Sequence, residues 1–199
     1  MTPPIVIAAG GNGSRIGGGK AGRVLGGIPL LQRAVTFALT QSGTVAIAAR
    51  ADTAITVEPR VPMLIDRADD GGPLAALMSA LDFAVACGAQ SVLMMPCDMP
   101  FLPADLLARL MVEGDAERVA MAMSGARFHP ICALWPVAAC QAALPAYAAI
   151  SNGSLIGLAK QIGFDEIAWP DAPYDPFFNI NDGDDLAHAE AMLAQNASA

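Results

Sequence analysis

Residues 5–20 read IVIAAGGNGSRIGGGK, a short apolar run followed by a glycine-rich segment that carries two cations. The apolar run at residues 5–9 predicts a buried strand. Glycine lets the chain that follows bring its backbone N–H groups close to an anion, and Arg15 and Lys20 add positive charge. Open α/β sheets bind ligands at the carboxyl ends of their strands, so this segment indicates a phosphate-binding loop.

Two common phosphate-binding motifs do not fit this loop. In G-x-x-x-x-G-K-[ST], the first glycine would fall at Ser14, and Lys20 is followed by Ala21 instead of Ser or Thr. In G-x-G-x-x-G starting at Gly11, the third glycine would fall at Ile16, and no acidic residue lies about 20 positions further on. A P-loop nucleotidase and a nicotinamide-dependent enzyme are therefore disfavoured.

The rest of the chain alternates short apolar runs with helical patterns, which is typical of parallel strands joined by crossover helices. We predict strands at residues 5–9, 44–49, 63–65, 91–95, 119–123, 131–134 and 165–169. We predict helices at residues 29–39, 74–86, 103–111, 137–144, 155–162 and 184–194, and a loop at residues 124–130. The expected fold class is α/β, with a three-layer, doubly wound and mostly parallel sheet.

Length and charge restrict the class further. The 199 residues correspond to little more than one domain of roughly 150 residues, so we expect a single domain over residues 1–199. Apolar residues make up 54% and charged residues 15%, which is sufficient for a sizeable core. Lys and Arg number 11 against 19 for Asp and Glu, a net charge of −8, so a broad basic surface for nucleic acid is not expected. A polyanionic ligand must therefore be held by local cations.

The cysteines and the apolar runs bear on the cellular compartment. Cys87, Cys97, Cys132 and Cys140 lack the close spacing of zinc or redox sites, so we predict reduced thiols in the core. No apolar run approaches the ~18 to 20 residues of a membrane span, and no basic segment precedes the first apolar run. We expect a cytoplasmic protein without membrane or nucleic-acid partners.

A second segment, MMPCDMPFLP at residues 94–103, places Asp98 at the carboxyl end of the strand predicted at 91–95. If both strands are central, Asp98 lies beside the glycine-rich segment. Magnesium binds proteins through one or two carboxylates together with substrate phosphates, so Asp98 is a candidate metal ligand. A cap of the following turn is the alternative that the local sequence leaves open.

Five segments together resemble the molybdenum cofactor guanylyltransferases of the nucleotidyltransferase superfamily. They are AAGGNGSRIGGGKAGRVLGGIPLLQ (8–32), DRADDGGPLAAL (66–77), PCDMPFL (96–102), HPICALW (129–135) and FNINDGDDL (178–186). The resemblance covers residues 6 to about 190 and implies a Rossmann-like nucleotide-diphospho transferase fold. It also implies a nucleotide-binding half at about 1–100 and an acceptor-binding half at about 101–190.

The resemblance implies a reaction and its residues. The reaction is the Mg²⁺-dependent transfer of GMP from GTP to the terminal phosphate of molybdopterin, with release of pyrophosphate. The implied catalytic residues are Lys20, Arg15 and Asp98, and Asp98 is the implied metal ligand. Binding contacts are implied for Ala8, Ala9, Gly10, Gly11, Lys20, Asp66, Gly72, Pro73, Asp98, Asn179 and Asn181. Transient contacts are implied with molybdenum cofactor biosynthesis proteins or molybdoenzyme chaperones.

The chain departs from the family pattern near the base. The family usually has an acidic residue where Gly19 stands, a leucine where Ala8 stands, and an asparagine in the segment VAIAAR at residues 45–50. Asp66 can accept hydrogen bonds from the guanine edge or from the ribose hydroxyls, and the residues do not distinguish the two. The groups that recognise the base are therefore left open.

Three polar groups have a structural interpretation beside the functional one. His129 is a substrate contact or a core histidine. Asn179 and Asn181 contact substrate or form a helix-capping turn. The acidic cluster at residues 182–185 is most simply the start of the last helix.

Two other classes of function remain to be distinguished. A molybdopterin cytidylyltransferase or a sugar-phosphate nucleotidyltransferase would keep the fold and the metal and change the nucleotide or the acceptor. A non-catalytic nucleotide-binding regulator or molybdopterin carrier would need neither Lys20 nor Asp98, so their joint presence favours an enzyme.

Overall fold

The computed structural model describes residues 1–9, 22–50, 56–65, 72–148 and 153–196. Its strands are β1 (Ile5–Ala8), β2 (Val24–Leu25), β3 (Ile28–Pro29), β4 (Val45–Ala49), β5 (Met63–Ile65), β6 (Ser91–Pro96), β7 (Val119–Ser124), β8 (Arg127–Pro136) and β9 (Phe164–Trp169). Its helices are α1 (Leu30–Gln41), α2 (Pro73–Ala86), α3 (Leu106–Glu113), α4 (Val137–Ala148), α5 (Leu155–Ile162) and α6 (Gly183–Asn196).

The main sheet has the strand order β5-β4-β1-β6-β8-β7-β9 within the described residues. The first four of these strands are parallel to one another, and β9 is parallel to β7. β8 pairs antiparallel with both β6 and β7. The expected class, α/β with a mostly parallel sheet, is confirmed.

The core lies on both faces of this sheet. Ile5 and Ile7 of β1 pack into the apolar cluster beneath α1 and α3, whereas Val6 and Ala8 pack into the cluster beneath α2, α4 and α5. Alternate residues of a strand point to opposite faces, so a strand covered on both sides is apolar at every position. This explains the continuous apolar runs of β1 and β4 and gives the predicted three layers.

The prediction of a loop at residues 124–130 is wrong. β7 and β8 form a tight hairpin in which Ser124 pairs with Arg127, and Gly125 takes a φ of +53° that favours glycine. The register shifts between Met121 and Ala122, which pair with Ala133 and His129. Pro130 lies in this irregularity, where its missing N–H costs no ladder hydrogen bond. The proline that looked typical of a loop is therefore accommodated inside a ten-residue strand.

Several other elements also differ from the predicted ones. The hairpin β2–β3 was not predicted, and the helix expected at 103–111 begins at Leu106. The helix expected to end at residue 144 continues through Pro145 to Ala148. Buried Tyr147 anchors this end, because its hydroxyl donates to the Ser154 carbonyl at 2.6 Å.

The expectation of thiols in the core holds for three of the four cysteines. All four cysteines are free, and Cys97, Cys132 and Cys140 are buried, whereas Cys87 is partly exposed. Burial raises the pKa of the Cys140 thiol to about 12. Within the described ranges, no helix combines the length and the apolar character needed to cross a membrane.

Candidate functional site

The end of β1 lies in the middle of the carboxyl edge of the sheet. Ala8 pairs with Ala48 on one side and with Pro96 on the other. The Ala9 N–H donates to the Ala48 carbonyl at 2.9 Å, and the Cys97 N–H donates to the Ala8 carbonyl at 3.2 Å. Residues 10–21, with Gly10, Gly11, Arg15 and Lys20, and residues 66–71, with Asp66, lie outside the described residues.

Asp98 follows β6 directly and therefore lies at the same edge. Its side chain is buried, with 6% of the residue exposed. Its carboxylate, together with burial as the larger cause, raises the pKa of the Cys132 thiol on β8 well above 9.0. Asp105, and not Asp98, occupies the position before the first residue of α3. The two central strands thus bring Ala8, Ala9 and Asp98 to neighbouring positions, as the sequence predicted.

The segment with Asn179 and Asn181 docks on the Asp98 turn. The N–H of buried Ile180 donates to the Asp98 carbonyl at 2.9 Å. The side-chain oxygen of Asn179 is buried and accepts no hydrogen bond from any residue that the structure describes. The Asn181 side chain donates to the Asn179 carbonyl at 3.3 Å. The fold therefore brings this late segment to the predicted metal ligand.

The acidic cluster that follows caps α6. The Asp182 carboxylate accepts the N–H groups of Asp184 and Asp185, each at 3.0 Å. The Asp185 carboxylate accepts the N–H groups of Asn181 at 2.7 Å and Asp182 at 3.3 Å. This reciprocal pattern is a capping box, so the interpretation as a helix start fits the geometry. The cap also fixes Asn181 at the beginning of α6.

Gly72 and Pro73 begin α2. Gly72 precedes its first residue, and its carbonyl accepts the Ala75 and Ala76 N–H groups at 3.0 and 3.3 Å. α2 connects β5 to β6, so it runs opposite to the strands and its N-terminus lies at the carboxyl edge. The partial positive charge of a helix N-terminus stabilises anions. This position suits the predicted nucleotide contact.

His129 has the surroundings of a core histidine. It is buried, its Nε2 lies 2.8 Å from the Ser124 hydroxyl oxygen, and its ring stacks on Phe177 at 4.6 Å between centroids. Burial lowers the pKa of His129 below its ordinary 6.5; Asp175 opposes this shift and Arg127 reinforces it. These contacts occupy the ring within the protein and favour the structural interpretation.

Arg23 also reaches this region and was not predicted from the sequence. Its guanidinium Nη1 donates to the Ile180 carbonyl at 3.3 Å, although the two residues lie 157 positions apart. The signal available in the sequence was its place three residues after Lys20.

The donors present fit magnesium bound together with phosphates. Within the described residues, no group of three or more His, Cys, Asp or Glu side chains forms a metal cluster. Asp98 and Asn179 supply a carboxylate and an amide oxygen from segments that are joined through Ile180. Magnesium usually takes one or two carboxylates plus substrate phosphates, and an all-protein cage is not required.

Comparisons with known proteins agree with this architecture. Residues 5–161 match the family described as MobA-like NTP transferase domain. A molybdenum cofactor guanylyltransferase of Cereibacter sphaeroides is 37% identical over 193 residues, covering 96% of this chain and 97% of the relative. Another of Acidiphilium cryptum is 40% identical over 188 residues, covering 94% and 93%.

Solved structures share the fold. Molybdopterin-guanine dinucleotide biosynthesis protein A from Archaeoglobus fulgidus superposes with a TM-score of 0.68 at 19% identity, covering 96% of this chain and 99% of that one. The 2-C-methyl-D-erythritol 4-phosphate cytidylyltransferase of Thermus thermophilus gives 0.72 at 18% identity, covering 98% and 100%. The family match over residues 5–161 and the relatives that match over nearly the whole sequence show that the chain belongs to the molybdenum cofactor guanylyltransferases, within the MobA-like NTP transferase family.

Proposed function

We propose that the chain transfers GMP from GTP to the terminal phosphate of molybdopterin. The observation that carries this proposal is the assembly of three separate segments at one edge of the sheet. Ala8 and Ala9 end β1, Asp98 ends β6, and Asn179 to Asn181 dock on Asp98 through Ile180. The relatives that match this chain over nearly its whole length are named molybdenum cofactor guanylyltransferases.

The chemistry requires positioning and charge more than covalent participation. An oxygen of the terminal phosphate of molybdopterin attacks the α-phosphorus of GTP, and the bond from that phosphorus to the bridging oxygen breaks. Pyrophosphate leaves with the electron pair. The attacking phosphate is already an anion, so no general base is obligatory. In-line phosphoryl transfer then depends on alignment and on cations that stabilise the developing charge.

We assign the stabilising positive charge to Lys20, Arg15 and a magnesium ion. Magnesium supplies positive charge to the phosphates when it is bound. The Asp98 carboxylate would hold it together with phosphate oxygens, and the buried Asn179 amide oxygen is the second candidate ligand. The hydrogen bond from the Ile180 N–H to the Asp98 carbonyl keeps the two ligand segments together.

Recognition of guanine is assigned to Asp66 and to backbone groups at residues 8–10. Guanine presents an N1–H donor beside an N2 donor, and a carboxylate or a pair of carbonyls accepts both. Adenine and cytosine place an unprotonated ring nitrogen at that edge. A site built for guanine would then leave polar groups unpaired, at about 1 to 3 kcal/mol each.

We also propose that the protein acts in the cytoplasm. Its proposed small-molecule substrates are GTP and molybdopterin, and no nucleic-acid or membrane partner is proposed. Molybdenum cofactor biosynthesis proteins or molybdoenzyme chaperones are the proposed transient partners, since the product must be delivered.

The test is competition among labelled GTP, CTP and ATP for limiting molybdopterin, with pyrophosphate release as a second readout. The cost of unpaired groups implies an excess of guanylyl product of roughly tenfold to a hundredfold, and the departures at Ala8 and near Ala48 place the expected excess at the lower end, about tenfold. Equal or inverted incorporation of CTP would favour the cytidylyltransferase. Nucleotide binding without release of pyrophosphate would favour the non-catalytic regulator.

A further inference from the structure

One peptide segment joins three parts of the site. The Ile180 N–H donates to the Asp98 carbonyl at 2.9 Å, and the Ile180 carbonyl accepts from the Arg23 guanidinium at 3.3 Å. Arg23 follows the glycine-rich segment, Asp98 follows β6, and Ile180 lies between Asn179 and Asn181. The backbone of one buried residue, Ile180, therefore contacts both Arg23 and Asp98.

Arg23 is itself held by its own hairpin. Its carbonyl accepts the Leu30 N–H at 2.8 Å, where β3 passes into α1. Leu25 and Leu30 pack with Ile180 and with Ala189 of α6 in one buried apolar cluster. The backbone of Arg23 is thus fixed on the same cluster that contains Ile180, so its side chain needs to span only a short gap.

The tip of the β2–β3 hairpin also binds α6. The Gly26 N–H donates to a carboxylate oxygen of Glu190 at 2.8 Å, and the Arg33 guanidinium binds the Leu25 carbonyl at 3.0 and 2.7 Å. α6 is in turn capped at the residue that follows Asn181. β2–β3, Ile180 and α6 therefore form one packed unit.

The Arg23 guanidinium carries a charge that strengthens its hydrogen bond to Ile180. It is partly buried and forms no ion pair with a carboxylate in the described part of the chain. Its one hydrogen bond in that part is the bond to Ile180. A hydrogen bond from a charged donor is stronger than one between neutral groups.

We propose that Arg23 is a positioning residue, which holds the segment carrying Asn179 and Asn181 in register with Asp98. Transfer between two bound substrates depends on their alignment, and a displacement of about 1 Å costs about a hundredfold in rate. The proposal rests on the proposed function for its kinetic consequence, whereas its structural consequence stands independently.

The experiment compares Arg23→Met, Arg23→Lys and the control Arg60→Met in the full-length chain. Arg60 is exposed and its substitution changes the net charge equally. Hydrogen exchange of peptides covering residues 176–182 is followed by mass spectrometry. The affinities for GTP and for molybdopterin, thermal unfolding, and kcat at saturating GTP and molybdopterin are measured beside it.

We expect faster exchange at residues 176–182 in Arg23→Met and wild-type exchange in Arg60→Met. We expect kcat to fall roughly tenfold in Arg23→Met, with GTP affinity within about twofold of wild type, because alignment and not nucleotide binding is lost. Arg23→Lys keeps a charged donor, so its exchange at residues 176–182 and its kcat should lie between those of Arg23→Met and wild type. If Arg23→Met does not fold, a smaller change of the same kind in Arg23→Lys supports the proposal.

Unchanged exchange at residues 176–182 in both Arg23 variants overturns the proposal. Weaker molybdopterin binding with unchanged exchange also overturns it, because Arg23 would then contact the substrate directly. If the wild-type protein transfers no nucleotide, the proposed function fails, and the exchange measurement still decides whether Arg23 holds the segment.

Discussion

Asp98 is an acidic residue buried at the end of a central strand, beside a thiol whose pKa it helps to raise. A carboxylate is a hard oxygen ligand of the kind that magnesium prefers. The turn that carries it is held from the far end of the sequence by Ile180. These observations fit a ligand kept in place for a cation that arrives with the nucleotide.

We predict that Asp98→Asn keeps the fold and loses magnesium-dependent turnover, on the order of a hundredfold, because an amide is an uncharged and weaker ligand for a hard cation. Turnover is measured over a magnesium titration, and circular dichroism monitors the fold. Glu166→Gln is the matched control, since Glu166 is exposed on β9. Near-normal turnover of Asp98→Asn at limiting magnesium would remove Asp98 from the metal site.

His129 predicts a pH dependence of stability. Its folded-state pKa lies below the ordinary 6.5, chiefly because it is buried. Between the two values the unfolded chain binds more protons, so stability falls as the pH decreases from about 6.5 until the folded state is also protonated. More than about one pH unit above 6.5 the histidine is neutral in both states and contributes no pH dependence.

His129→Gln should remove this contribution, so the variant should lose less stability than wild type between pH 7.5 and pH 5.5. Urea unfolding at both pH values measures the difference, and the carboxylates common to both proteins cancel in the comparison. Asp175 and Arg127, the charged groups that act on His129, are unchanged. An equal loss in the two proteins would contradict the prediction.

At the scale of elements, the β2–β3 hairpin shows what a glycine pair can specify. Gly26 and Gly27 have φ of +55° and +78°, as expected for a two-residue turn with both central residues in the left-handed region. A Cβ on Gly26 would lie 2.5 Å from Leu193 Cδ2 and 2.9 Å from Arg33 Nη2. A Cβ on Gly27 would meet no atom within 4 Å.

We therefore predict that Gly27→Ala costs about 1 to 2 kcal/mol through its backbone conformation. Gly26→Ala should cost about 0.5 to 1.5 kcal/mol more, since the added methyl displaces the ends of the Leu193 and Arg33 side chains from their rotamers. Denaturant unfolding of the two variants gives the comparison. A larger loss for Gly27→Ala would show that the hairpin does not pack on α6 in this way.

At the scale of the whole molecule, one sheet connects the two predicted halves. β6 pairs with β1 on one side and with β8 on the other, over four residue pairs in each case. Both tryptophans, Trp135 and Trp169, belong to the half at 101–190 and are buried there. The single domain stays a prediction, and these tryptophans provide its test.

Ile7→Ala, in β1 of the other half, should lower stability by roughly 2 to 5 kcal/mol because it leaves a cavity in the core. We expect tryptophan fluorescence and far-ultraviolet circular dichroism to report one coincident transition, shifted equally in this variant. Two separate transitions, or a fluorescence transition that Ile7→Ala leaves in place, would show that the halves unfold independently.

The order of strands and helices, the end of β1, and Asp98 at the end of β6 were predictable because each depends on neighbouring residues. Apolar periodicity identifies a strand or a helix, and parallel strands bring their carboxyl ends to one edge. The bounds of β5 and α5 agree with the prediction for the same reason. Asn179 and Asn181 stay predicted substrate contacts, and the structure joins their neighbour Ile180 to the Asp98 carbonyl.

The tertiary structure alone decided that β8 runs antiparallel between β6 and β7, with Pro130 inside it. It also decided that His129 hydrogen-bonds to Ser124 and stacks on Phe177, and that Arg23 hydrogen-bonds to Ile180. Such contacts join positions far apart in the chain, and several are made by backbone groups that every residue carries. The residue types therefore give no local signal of them, and only the folded chain brings the partners together.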